Sequence, residues 1–149
     1  MKIAVASDHA GFQLKEFIKN RLKDDGETVV DFGTDSERPC DYPDYGRAAA
    51  EAVARGHCDL GVLICGTGIG MSIVANKVPG VFAALCSNGL QAELSRRHNN
   101  SNVLVLGGWM IGQLLAEEIL HRWLKAEFEG GRHARRVEKI NAISPVIGK

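Results

Sequence analysis

The chain has no excess charge of either sign: 18 Lys and Arg stand against 18 Asp and Glu in 149 residues, a formal net charge of +0. A protein that holds nucleic acid or an anionic membrane by bulk electrostatics carries a basic excess, so the balance argues against both partners, and any anionic ligand has to be caught locally. A long apolar run is missing as well. Nothing reaches the ~18 apolar residues of a membrane span, and the opening MKIAVASDHAGF turns polar too early for a secretory leader, so the expected location is cytoplasmic. Cysteine is sparse and scattered: Cys40, Cys58, Cys65 and Cys86 form no C-x-x-C pair, which argues against a zinc ribbon or a thioredoxin-type motif and for free thiols in a reducing compartment. With no internal repeat, low-complexity tract or linker-like stretch, the expectation is one domain over residues 1–149, long enough to fold without a disulfide or metal staple.

What is present is an alternation. Short β-branched apolar runs at Lys2–Ser7, Thr28–Phe32, Leu60–Cys65, Val81–Cys86 and Val103–Leu106 read as strands. Between the first two, Phe12, Leu14, Phe17, Ile18 and Leu22 fall on one face of a helix that Gly26 stops. Tyr45–Ala54, Ile69–Lys77, Leu90–Arg97, Ile111–Phe128 and Arg132–Ile143 read as further helices. Runs such as GVLIC and VLVL are apolar at nearly every position, as strands of a parallel sheet covered on both faces must be. The expected fold is therefore α/β, a doubly wound three-layer sandwich with a five-stranded parallel sheet in the order 2-1-3-4-5 and a C-terminal helix. In such sheets ligands sit beyond the carboxyl ends of the strands.

The chemistry-bearing residues cluster at those ends. Ser7-Asp8-His9-Ala10-Gly11 follows the first strand; Asp8 or Ser7 can simply cap the next helix, but capping gives no role to His9. Cys65-Gly66-Thr67-Gly68-Ile69-Gly70-Met71-Ser72 follows the third, and alternating glycines there would expose backbone N–H groups at a helix N-terminus, a site for an oxyanion or phosphate. The spacing is not the G-x-G-x-x-G of dinucleotide sites, because position 71 is Met, and no Gly-Lys-Ser/Thr of a Walker loop occurs. The same N–H groups would favour the thiolate of Cys65, making it a candidate base or nucleophile, whereas Cys40, Cys58 and Cys86 read as buried structural thiols. Ser95-Arg96-Arg97-His98-Asn99-Asn100 precedes the fifth strand, where His98 could do no more than complement a helix dipole. Arg132 and Arg136, at i and i+4 after Gly130 and Gly131, suit a clamp on one phosphate.

Taken together, SDHAGF, DYPDYG, ICGTGIGMSIVANKVPG, SRRHNNSNVL and EFEGGRHARRVEKI closely resemble the ribose-5-phosphate isomerase B family, the RpiB/LacA/LacB group of sugar-phosphate isomerases. The resemblance covers almost the whole chain. It implies a Rossmann-like fold, a place in the pentose phosphate pathway, and a cofactor-independent aldose–ketose conversion of ribose 5-phosphate and ribulose 5-phosphate through an enediolate. It also implies a homodimer whose active sites use residues of both subunits, with association into a tetramer a further option. By the resemblance Cys65 moves the proton between C1 and C2, Thr67 assists at the hydroxyls, and His98 opens the sugar ring with Asp8 handling protons there. Asn99 and the backbone of Gly66, Gly68 and Gly70 hold the developing oxyanion, His9, Arg132 and Arg136 grip the phosphate, and Tyr42 lines the sugar site. No metal or cofactor is implied.

Two positions depart from the family pattern. Where an arginine commonly follows the Pro-Gly of the fourth strand and another follows the glycine pair behind the fifth, this chain has Phe82 and Trp109. Either the phosphate is left to the remaining cations, or the pocket is reshaped for another sugar phosphate, of allose, galactose or a tetrose. The presence of His98 favours a pentose phosphate over the hexose-phosphate subunits. A phosphate-binding module without catalysis would need neither a thiol nor a ring-opening imidazole, and a cysteine hydrolase would need a base bonded to Cys65.

Overall fold

The structure, a computed structural model, describes residues 1–143. The chain alternates strand and helix: β1 (Lys2–Ser7), α1 (Phe12–Asp24), β2 (Thr28–Asp31), α2 (Tyr42–Ala54), β3 (Leu60–Cys65), α3 (Ile69–Asn76), β4 (Ala83–Leu85), α4 (Gly89–Asn99), β5 (Val103–Gly107), α5 (Gln113–Lys125) and α6 (Arg132–Asn141). Every strand pair is parallel. In β1 the side chains alternate, Ile3 and Val5 facing one layer and Ala4 and Ala6 the other, as the period of a strand dictates. Ile3, Val5, Val62, Ile64, Leu104 and Leu106 pack against α1 and α5 through Leu14, Ile18, Leu22, Ile119, Leu120 and Trp123. On the opposite face Ala4, Ala6, Leu63, Val103 and Val105 meet Ala49, Ala50 and Val53 of α2 and Met71 and Ala75 of α3. Each fully buried aliphatic side chain contributes about 1.5–3 kcal/mol, and the small residues on the α2 side let that helix lie close to the sheet.

The three-layer α/β architecture agrees with the sequence reading, but the strand order does not. It is β2-β1-β3-β5-β4, not 2-1-3-4-5. The reason is burial: all five residues of β5 are buried, which demands a neighbour on each side, whereas the three residues of β4 are only half-buried and suit an edge. The step from β4 back to β5 also reverses direction, and a right-handed crossover then puts α4 on the same face as α1 and α5. Ala92 of α4 is accordingly part of that core. Element ends shift by a few residues. Helix α2 starts at Tyr42 instead of Tyr45 because Asp41 takes the extended cap position and Pro43 is tolerated in a first turn. Helix α5 starts after Gly112, β4 is shorter than Val81–Cys86, and α6 ends at Asn141.

Candidate active site

Three strand ends meet at the carboxyl edge of the sheet, with Ser7 opposite Ile64 and Cys65 opposite Gly107. They come this close because glycines remove the side chains that would separate them. A Cβ on Gly11 would stand 2.6 Å from the carbonyl oxygen of Ile64, one on Gly107 2.7 Å from that of Thr67, and one on Gly108 3.0 Å from that of Ala10. Past the strands, the N–H of Gly108 donates to the carbonyl of Cys65 at 2.8 Å and the N–H of Trp109 to that of Gly66 at 2.9 Å.

Cys65, only 4% exposed, closes β3 and is followed at once by the glycine loop. Gly68 sits at φ +81°, a left-handed conformation that caps α3 and that a side chain would strain. Thr67 is exposed, and its Oγ1 accepts the N–H of Ile69 at 3.2 Å. Of the first-turn N–H groups of α3, those of Gly70 and Met71 have no acceptor within the helix, and they lie at the positive end of its dipole in the loop that Cys65 leads into. Aromatic rings flank this loop on two sides. The Tyr42 ring lies where a Cβ on Gly70 would be, 2.6 Å from its Cζ, and the Trp109 indole where a Cβ on Gly66 would be, 2.6 Å from its Cε3.

Asp8 and His9 stand on the neighbouring turn. Asp8 is 6% exposed and its Oδ1 accepts the N–H of Gly11 at 3.0 Å, a bond that closes the turn before α1; the helix itself is capped at Gly11 without a side-chain bond, so the expected capping role is not realised and the second carboxylate oxygen is left for other work. Nδ1 of His9 accepts the N–H of Cys40 at 3.2 Å. That bond fixes the neutral tautomer with the proton on Nε2, a donor suited to an anion.

The other expected residues lie elsewhere. Helix α4 runs back against the strands, so its last residues, His98 and Asn99, reach the amino edge of the sheet, opposite to the end of β3 that carries Cys65. Arg132 and Arg136, both exposed, belong to the same region, because α6 begins against the end of α4: the His98 and His133 rings stack with centroids 4.2 Å apart and planes 6° from parallel. Two residues that sequence reasoning missed complete this cluster. Glu129 places Oε2 3.4 Å from Nε2 of His133 and 3.9 Å from Nε2 of His98. Burial, with the neighbouring His98 and Arg132, pushes the His133 imidazole below its ordinary value against the pull of Glu129. The Arg97 guanidinium bonded to Glu129 holds that carboxyl below the usual range. The i, i+4 spacing of Glu129 and His133 was visible in the sequence; their meeting with His98 depends on the fold.

Comparison with known proteins is decisive. Residues 3–140 match the pattern of the ribose/galactose isomerase family. This chain belongs to that family. Ribose-5-phosphate isomerase B of Escherichia coli is 51% identical over 142 residues, 95% of each chain. The D-erythrulose-4-phosphate isomerase of Pectobacterium atrosepticum is 46% identical, covering 94% of this chain and 93% of its own. The solved structure of Mycoplasma genitalium ribose-5-phosphate isomerase B with bound ribulose-5-phosphate superposes with a TM-score of 0.90 at 44% identity, over 94% of this chain and 93% of that one. Within this ribose/galactose isomerase fold the thiols of Cys58 and Cys86 are raised by burial, that of Cys86 to about 11, so both stay protonated and inert near neutral pH.

Proposed function

We propose that this chain, as one sugar-phosphate isomerase domain, interconverts ribose 5-phosphate and ribulose 5-phosphate in the cytoplasm without a cofactor. The observation that carries the reading is Cys65 at the carboxyl end of β3, joined directly to a glycine loop and helix N-terminus, in a chain of the ribose/galactose isomerase family. A proton on carbon next to a carbonyl is weakly acidic, so its removal needs a positioned base and preformed donors for the oxygen that becomes negative. The Cys65 thiolate takes the proton from C2, the carbonyl oxygen on C1 becomes the enediolate oxygen, and the same proton, now on sulfur, returns to C1 as O2 becomes the ketone. Thr67 exchanges protons with the two hydroxyls, and the backbone of Gly66, Gly68 and Gly70 with Asn99 steadies the negative oxygen. Before this, His98 and Asp8 move the proton that opens the furanose. Tyr42 lines the sugar, while the Nε2–H of His9, Arg132 and Arg136 hold the phosphate, whose binding energy orients the distant carbons.

His98, Asn99, Arg132 and Arg136 belong to the amino edge and Cys65 to the carboxyl edge, so the reading requires a homodimer in which each copy completes the other's site. Exposed apolar residues around the reactive loop, Ile69 (55%), Trp109 (73%), Met110 (65%) and Leu114 (84%), support a covering partner. A second reading, a different phosphorylated sugar, is favoured by one observation: Trp109 lies on Gly66 beside the base, where it shapes what can enter. The deciding experiment is an isomerisation panel of ribose 5-phosphate, allose 6-phosphate, erythrose 4-phosphate and free pentoses, with Cys65→Ala as control. The proposal expects ribose 5-phosphate to be best and Cys65→Ala to lose several orders of magnitude while remaining folded. Retained activity in that variant would remove the thiol base, and a faster sugar would transfer the mechanism to that substrate.

A further inference from the structure

An imidazole that opens a sugar ring has to be held in one orientation, because proton transfer is steeply sensitive to geometry. His98 stands on the last turn of α4 with 35% of its side chain exposed, a place where a histidine turns freely unless something fixes it. Here two neighbours meet it. His133, 5% exposed and anchored in α6, supplies a parallel ring at 4.2 Å, and its own Nε2 is buried without a hydrogen-bond partner among the described residues. Glu129 supplies a carboxylate that cannot wander: Oε1 accepts from Nε of Arg97 at 2.7 Å and pairs with its Nη2 at 2.6 Å, and Arg97 is tied in turn to Glu93 at 2.9 Å. The remaining oxygen, Oε2, faces both imidazoles.

We infer that Glu129 and His133 are positioning residues for His98, the stack fixing the plane of its ring and the clamped carboxylate, 3.9 Å from Nε2, favouring the proton on that edge through its charge. This inference rests on the isomerase reading above. The ligand atoms of His98, Glu129 and His133 lie within 4.8 Å of one another, a spread that would also suit a divalent metal. Parallel rings, however, cannot both aim an in-plane lone pair at one ion, so the stack is an orienting device and not a ligand set. Two imidazolium rings at this spacing repel, and Oε2 of Glu129 faces the Nε2 edge of both.

The test compares ribose 5-phosphate, mostly a closed furanose, with 4-deoxyribose 5-phosphate, which lacks the hydroxyl that closes the ring. Glu129→Gln and His133→Ala should each lower kcat/KM about tenfold on the first substrate, a fraction of the ~100-fold or more that a general acid–base contributes, and much less on the second. His133→Phe keeps a flat ring to stack upon and should recover most of the loss. Nitrogen NMR of the His98 ring supplies an independent readout: a single tautomer in the parent protein and an averaged signal in Glu129→Gln. Equal losses on both substrates, or an unchanged His98 signal, would overturn the positioning role. His98→Asn is the reference: if it shows no preference between the two substrates, it is the ring-opening assignment that fails, and the two failures are told apart.

Discussion

Gly66→Ala tests whether the contact between the reactive loop and Trp109 shapes the site. An added methyl would meet Cε3, Cζ3 and Cδ2 of the indole at 2.6, 2.7 and 2.9 Å, and these are the three nearest atoms. Position 66 is not among the glycines with positive φ, so the backbone accepts alanine and the whole cost is displacement of the ring. Trp109 is 73% exposed in the single chain and the clash is with a side chain, not backbone, so the ring can shift, and the expected penalty is about 1 kcal/mol, the low end of the range for overpacking, if the proposed partner leaves the indole room to move. Gly11→Ala is the contrast. Its nearest atoms are the carbonyl oxygen and carbon of Ile64 at 2.6 and 2.8 Å, backbone that cannot yield without moving the end of β3, so about 3 kcal/mol is expected. Urea titration of Gly66→Ala, Trp109→Ala and the double variant gives the coupling, expected at about 1 kcal/mol because the methyl fits once the indole is gone. Should Gly66→Ala cost as much without the indole as with it, the penalty does not come from Trp109, and the claim that this residue shapes the loop falls. Activity of the same set adds the functional half: a swung-out indole should alter kcat/KM, and Trp109→Ala should make Gly66→Ala neutral in that respect too.

Mixing inactive Cys65→Ala and His98→Asn proteins after dissociation should restore about a quarter of parental activity, since half the dimers are mixed and each of those holds one intact site; recovery of none would deny the shared site. Asp31→Asn leaves Lys15, 1% exposed, with the Thr34 carbonyl at 2.8 Å and Glu16 Oε1 at 3.3 Å, and should cost about 2 kcal/mol at neutral pH by urea titration, less than a broken buried pair because Glu16 still faces the ammonium and Asp31 is partly exposed. Burial alone would push the Asp31 carboxyl up, but bonds from Lys15, Lys19 and the Gly33 N–H outweigh it and hold it below its ordinary value. The stability it contributes is therefore complete above its unfolded value of about 4 and disappears as pH falls through the lower folded one, so the parent should lose stability in that window more steeply than the variant. An equal slope would deny the linkage. Trp123 donates Nε1–H to Ser101 Oγ at 2.8 Å; Ser95 Oγ donates to the Ala92 carbonyl, so Ser101 must donate to Ser95. Trp123→Phe breaks this buried chain at its head and should cost about 1–3 kcal/mol; no measurable loss would remove it as a brace for the end of α4.

The sequence carried the layers plainly, because strands apolar at nearly every position have one home, a parallel sheet buried on both faces. It carried the loop after β3 for a similar reason: glycines at 66, 68 and 70 match a close approach that the structure realises with the rings of Trp109 and Tyr42, the Leu85 side chain and the backbone of Leu106. The strand order was less legible. β4 and β5 are both apolar, and what separates an edge from a centre is the number of neighbours, which hydropathy does not encode. His133 hid inside the run Arg132 to Arg136, where charge drew attention to the arginines, although its neighbours show it to be the buried member of the group. One signal was present and decisive. Residues that precede a strand lie at its amino edge, so a cluster ending at Asn100, just before β5, could not share one chain's carboxyl edge with Cys65.

Under the proposed homodimer, that separation would explain how a chain of zero net charge holds a phosphorylated sugar. The base needs a dry strand end and N–H donors, which the carboxyl edge provides through Cys65 and the start of α3. The cations would be costly beside it, because Arg132 and Arg136 would have to be ordered and partly desolvated there even without ligand. On the amino side they are exposed, and in the proposed homodimer another copy would bring them to the substrate. A two-fold axis that sets one chain's amino-edge cluster against the other's carboxyl edge makes the contact twice, yielding two complete sites from two incomplete chains. Under that proposed arrangement association would do chemical work beyond stability: it would cover Ile69, Met110 and Leu114, exclude water from the enediolate, and bring the phosphate's positive partners to the site only when the pocket that uses them is closed.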